Sequence, residues 1–179
     1  MKKAKLILIG SALLVLPFFL VNCTKTNTVT EPGTNTTTTV TANPYAGSIF
    51  SNEGSFAGID SLNTHFVANV VADNNINGIF VAAFASSTNN EYNFISSLYN
   101  FFVTATGGPN IYDGPGYQPG NSLSTSMKTV HHGMNITQSQ FNSLAGDLAN
   151  AIHTCKWSKA DSVGLMGAAA GLAPDVIGQ

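Results

Sequence analysis

Met127-Lys128-Thr129-Val130-His131-His132-Gly133-Met134-Asn135-Ile136-Thr137, followed by Phe141, Leu144, Ala145 and Leu148, decides how this chain folds. Met127, Val130 and His131 fall at helical spacing, and Gly133 breaks that helix just beyond the histidine. Thr137-x-x-Gln140 then opens a second helix with a capping box, in which each side chain satisfies a free backbone donor of the other. Phe141, Leu144, Ala145 and Leu148 recur at three and four residues. One apolar face of the second helix therefore looks back toward His131.

Working outward, Ile59, Leu62, Phe66 and Val70 predict an amphipathic helix that ends at Asp73-Asn74-Asn75. Ile76, Ile79 and Phe80 form a short apolar turn, and Ala82 to Asn90 reads as a small, polar loop or insertion. From Asn90 to about Thr104 a helix carries two apolar lines, Tyr92, Ile95, Leu98 and Phe102 on one and Phe94, Leu98 and Phe101 on the other. So wide an apolar arc belongs to a helix sandwiched between two buried surfaces. Gly107-Gly108-Pro109 stops it. Tyr112 to Ser124 has no helical or strand period and reads as a mobile loop. A short helix then leads to His131, a longer one runs from Gln138 to His153, and a last one follows Ser158-x-x-Asp161. No alternating strand pattern of useful length occurs. The expectation is an all-α domain of five or six helices over residues 46–179.

Ahead of this domain the chain opens with Lys2, Lys3 and Lys5, an apolar run from Leu6 to Leu20, and then Val21-Asn22-Cys23. The run is short for a membrane-spanning helix, which needs about 20 residues, and reads as an export signal. Leu20-Val21-Asn22-Cys23 resembles a bacterial lipoprotein box, which implies a signal peptide over residues 1–22, cleavage before Cys23 and lipid on that cysteine. Asn22 departs from the usual small residue there, and an uncleaved anchor or an ordinary secretion signal are the alternatives. Each reading exports the globular part, with the lipoprotein reading anchoring it to a membrane at the periplasmic face or cell surface. Residues 23–45 are threonine-rich with almost no large apolar side chain, a composition that cannot offset the entropy of ordering it. As a flexible tether, Thr24 to Tyr45 spans about 25 Å root-mean-square.

Cleavage at Cys23 would leave four lysines, Lys25, Lys128, Lys156 and Lys159, against nine acids, a net charge of −5, and the chain has no arginine. Nucleic-acid binding rests on Lys and Arg neutralising phosphates, so that class is excluded. Cys155 stands alone once Cys23 is lipidated. No disulfide framework is expected, and Cys155 reads as a small buried hydrophobe.

Taken together, Ile49-Phe50, Gly54, Phe66, Asp73, Phe80, Phe101-Phe102, Gly107-Gly108-Pro109, Tyr112, Met127-Lys128, Val130-His131, Gly133, Ile136-Thr137, Phe141 and Ala145-Gly146 resemble a truncated haemoglobin of the first group. The resemblance covers about Ile49 to Val176. It implies a two-over-two helical sandwich holding protohaem (haem b), with His131 as the proximal iron ligand and Phe80 flat on the porphyrin. It also implies that Tyr112, Met127, Val130, Ile136, Phe141 and Leu144 line the proximal face and edges. The chemistry agrees, since a porphyrin is a large apolar disc needing one nitrogen ligand and polar groups only at its carboxylate rim. His132 lies about 100° off the ligand face. A zinc site from His131, His132, His153 and Cys155 is a competing reading without a recognised zinc spacing.

The departures lie on the distal side. Alignment through Phe66 and Phe101-Phe102 puts Val67, Phe94 and Leu98 where the family often has hydrogen-bonding residues. None of the three can donate to a bound gas. Tyr92, Tyr99 or His65 could do so if the helix were rotated. The implied function is reversible binding of a diatomic gas (oxygen, nitric oxide or carbon monoxide). Oxidation of nitric oxide to nitrate, which would require an unidentified redox partner, is the enzymatic alternative. A globin-like lipoprotein that has lost haem and serves a structural or interaction role is the third reading.

Overall fold

The computed structural model describes residues 43–84, 90–115, 117 and 123–179. The signal-peptide, lipidation and most of the tether expectations lie outside these residues. Among the described residues there are eight helical segments and no strand. They are α1 (Ile49–Asn52), α2 (Ser55–Ala72), α3 (Asn77–Phe84), α4 (Asn90–Ala105), α5 (Leu123–His131), α6 (Gln138–Thr154), α7 (Lys159–Gly171) and α8 (Ala173–Val176). The expected all-α domain is what forms.

Helix α2 is the spine, packed between α4 and α6, while α7 lies against α6 and α8 against α5. Its predicted apolar positions Ile59, Leu62, Phe66 and Val70 are all buried, and they meet Phe102 and Val103 of α4 and Leu148, Ala151 and Ile152 of α6. Phe66 and Phe102 touch edge to face, with centroids 5.5 Å apart at 82°. Such a contact adds about 0.5–1.5 kcal/mol beyond area burial. A smaller cluster of Tyr112, Met127, Ile136 and Val176 closes the other end of the domain.

Helix ends follow their local chemistry. Thr137 Oγ1 accepts from the Gln140 backbone at 3.2 Å and Gln140 Oε1 accepts from the Thr137 backbone at 2.9 Å, the capping box read from the sequence. Ser158 Oγ likewise accepts from the Asp161 N–H at 3.1 Å at the start of α7. Glu53, buried in the α1–α2 corner, accepts from the Ser158 N–H at 3.0 Å and so ties the two ends of the domain to the same helix start. Helix α4 stops where Gly107 and Gly108 donate back to the Thr104 and Val103 carbonyls.

Four expectations change. The turn at Ile76 to Phe80 continues as α3 through Phe84, because Ala82 and Ala83 are strong helix formers. That takes the first residues of the supposed loop, and residues 85–89 lie outside the described ones. Tyr92 is 75% exposed, not part of an apolar line, because residues 91–93 form an uncovered first turn of α4. Tyr112, assigned to a mobile loop, is buried and hydrogen-bonded. The one-turn helices α1 and α8 bring the count to eight, where five or six were expected.

Candidate functional site: an apolar cavity around His131

His131 is the last residue of α5, and Gly133, at φ +82°, turns the chain away in the left-handed region that favours glycine. The imidazole Nδ1 lies 2.8 Å from the Met127 carbonyl, one helical turn back. A carbonyl oxygen can only accept, so Nδ1 carries the proton. In the neutral ring this leaves Nε2 with the free lone pair, the arrangement that fixes an imidazole for metal ligation. The side chain is half-buried and lines two adjoining cavities.

The first cavity, about 290 Å³, lies between α4, α5, α6 and α7. The second, about 260 Å³, lies between α3, α5 and α6. Phe80, Phe94, Val130, His131, Phe141, Leu144 and Val176 line both. Of the residues the sequence pointed to, Tyr112, Met127 and Leu98 line the first and Ile136 the second. Ten of the eleven candidate positions therefore converge on one space.

Val67 does not. It is half-buried and lies outside both linings, whereas its neighbour Phe66 lines the first cavity. One residue is about 100° of helix, which is enough to carry a side chain from the cavity wall to its flank. The alternative donors also stand elsewhere. Tyr92 is exposed, the Tyr99 hydroxyl donates to the Phe56 carbonyl at 3.5 Å, and His65 lines neither cavity. His132 is exposed, as its position off the ligand face requires. For a zinc site, His153 is exposed at the end of α6 while Cys155 is buried and donates to Ser61 Oγ at 3.6 Å. Among the described residues no three His, Cys, Asp or Glu side chains converge.

Tyr112 anchors the loop ahead of α5. Ser126 Oγ donates to the Pro115 carbonyl at 2.9 Å, so the Tyr112 hydroxyl, 3.1 Å away, donates to Ser126. Gly114 permits this, since a Cβ there would fall 2.0 Å from the Tyr112 hydroxyl oxygen. Burial pushes the Tyr112 pKa up, the Ser126 bond opposes this, and the Asp113 charge adds to it. The ring stays a neutral wall.

Two kinds of lining residue escaped the sequence reading. Ser97 of α4 lines the first cavity and is the only hydroxyl on the lining, apart from Tyr112, among the described residues. Its spacing from Phe94 and Phe101 could have revealed it, because it falls on the same helical face. Leu165, Leu172 and Val176 arrive from α7 and α8, and nothing in their local sequence ties them to His131.

Helices alone, a deep apolar cavity and one oriented imidazole on its wall define the globin class of architecture. The chain belongs to the bacterial-like globin family, which is matched over residues 48–176. It is similar to the group 1 truncated hemoglobin GlbN of Mycolicibacterium paratuberculosis, at 29% identity over 129 residues, covering 72% of this chain and 83% of that one. In structure it is similar to truncated hemoglobin from Tetrahymena pyriformis in its Fe(III) form, with TM-score 0.60, 20% identity and coverage of 74% and 99%. A single-residue variant of that protein superposes with TM-score 0.61 at 19% identity. This likeness establishes the truncated-globin fold. Globins of this family bind haem iron, and haem is the cofactor that membership implies.

Proposed function

We propose that this chain is a haem protein that reversibly binds a diatomic gas, exported and tethered to a membrane by lipid on Cys23. The observation that carries the haem reading is His131, with Nδ1 committed to the Met127 carbonyl and its ring on the wall shared by both cavities. The residues present fit the group: aromatic and aliphatic side chains surround the space, and a single neutral nitrogen is available to the metal. Haem, held by His131, would supply the iron that binds the gas.

The chain's own residues do the rest. Phe80, Phe94, Leu98 and Phe101 exclude water from the cavity, and Ser97 offers one hydroxyl there. Lys128, exposed beside Met127, is the nearest strong base by position on α5, while Lys156 and Lys159 stand at the far ends of α6 and α7. Among the described residues no lysine lines the cavity to meet the haem carboxylates, so His131 and the apolar lining would hold the group. Export is supported by the basic start, the apolar run and Cys23.

The test is the absorption spectrum of the full chain produced with haem available. A Soret band that acid-acetone removes, that His131→Ala loses and that shifts with carbon monoxide is expected. Absence of the band in the wild type sinks the haem reading. Mass spectrometry of the N-terminal peptide decides the tether, which fails if Cys23 is unmodified or the signal peptide is retained.

A further inference from the structure

The segment 173–179, which no motif singled out, holds both ends of the helix that presents His131. At the start of α5, Ser124 Oγ donates to Asp175 Oδ2 at 2.6 Å. Beyond its end, the Asn135 N–H donates to the Gln179 carbonyl at 2.8 Å and the Gly178 N–H donates to the Ile136 carbonyl at 2.9 Å. The two stretches run parallel there, with Ile136 bridged to Ile177. Between these attachments Val176 is buried and forms part of both cavity walls.

Such a clamp has a physical purpose at this place. The corner after His131 contains two residues in the left-handed region, Gly133 at +82° and Asn135 at +49°, so no continuous helix braces the histidine from its C-terminal side. The main restraint from its own element is the turn back to Met127. A short helix such as α5, nine residues long, is also marginal by itself and depends on tertiary contacts.

We infer that residues 173–179 act as a positioning clamp for His131, with Asp175 and the 177–179 strap as the positioning residues that fix where the imidazole nitrogen stands. This rests on the reading of His131 as the haem ligand. Asp175 and Gly178 lie outside the cavity linings, so their effect must pass through α5 and its corner.

The test uses the full chain carrying Asp175→Ala, Asp175→Asn or Gly178→Val. Asparagine keeps an oxygen acceptor for Ser124. Valine at Gly178 strains a backbone at φ +71° with nothing within 4 Å for its Cβ to strike. Asp175→Ala and Gly178→Val should raise the rate of haem loss to excess apomyoglobin by about tenfold or more, the usual effect of removing support from a metal ligand. Both should also shift or broaden the ferrous iron–histidine stretching band, while Asp175→Asn stays near the wild type. Glu53→Ala, at the far end of the domain, removes the acceptor of the Ser158 N–H and should lower the unfolding midpoint while leaving that band in place. An unchanged loss rate and band in both variants overturns the clamp, as does a Glu53→Ala variant that moves the band equally.

If the wild type holds no haem, the ligand reading fails separately, and the clamp is decided on the haem-free chain. Asp175→Ala must then speed hydrogen exchange at the α5 amides, Asn135 and Gly178, and unchanged exchange overturns it.

Discussion

Replacing His131 by alanine removes two interactions whose sizes differ, and the structure separates them. The first is the hydrogen bond from Nδ1 to the Met127 carbonyl at 2.8 Å, in a half-buried position at the end of α5. Its loss costs about 0.5–1.5 kcal/mol of fold stability. The second is the Nε2 nitrogen proposed to bind the haem iron. Removing only a supporting partner of a metal ligand costs about 10–100-fold in affinity, or roughly 1.4–2.8 kcal/mol, and losing the ligand itself exceeds that. The apolar lining is untouched, so weak, poorly oriented binding remains. The expected result is a folded protein whose haem affinity has dropped more than about 100-fold. Titration of the haem-free chain with haemin, followed by the Soret band and by quenching of Trp157, the single tryptophan, measures it. Free imidazole should restore the spectrum of His131→Ala, which a purely packing role could not explain. His132→Ala should titrate like the wild type. A His131→Ala protein of undiminished affinity beside a His132→Ala protein that fails would move the ligand by one residue and refute the argument from Nδ1.

Four further outcomes follow from named contacts. Glu53→Ala leaves the Ser158 N–H without its acceptor in a buried corner and should destabilise the fold by about 1–3 kcal/mol in urea melts. Tyr112 has a pKa raised above the ordinary 10.0, so its neutral form favours folding. That contribution is fully present below pH 10.0 and is lost as pH rises through the folded-state value, and Tyr112→Phe should flatten the alkaline limb of the stability–pH curve. Ser97→Ala should speed dioxygen release roughly fivefold, the equivalent of about 1 kcal/mol for one neutral hydrogen bond, with carbon monoxide release unchanged. Equal rates for Ser97→Ala and wild type would remove Ser97 from the gas site. Because no lysine among the described residues lines either cavity, haem with both carboxylates esterified should bind about as tightly as haem, as competition titration would show. A large loss on esterification would mean that the carboxylates are recognised after all.

What could be read in the sequence was carried by interactions between near neighbours along the chain. The capping box at Thr137 and Gln140, the Ser158–Asp161 cap and the three-and-four spacing of Ile59 to Val70 act over one to four turns, and each appears where the sequence puts it. Spacing also turned Phe141 and Leu144 toward His131, whereas Phe80, Phe94 and Leu98 were placed there by the family resemblance, and all of them line the cavity that His131 lines. Two things lay beyond its reach. The strap of 177–179 is held to Asn135 and Ile136 by backbone groups more than forty residues away, and backbone hydrogen bonds leave no side-chain signature.

Val67, alone of the three distal positions, misses the cavity for a different reason, which is rotational. Phe66 faces the cavity and Val67 does not, so transferring a family position along α2 tolerates no slip of even one residue. Periodicity within the chain is the safer guide. On α4 the cavity-lining residues Phe94, Ser97, Leu98 and Phe101 stand at i, i+3, i+4 and i+7, a single helical face with one hydroxyl in it. Ser97 is half-buried and lines the cavity that His131 also lines. Ser97 thus stands on α4 between the Phe94 and Leu98 that alignment placed on the distal side, and the dioxygen-release rate of Ser97→Ala decides whether it meets a bound gas.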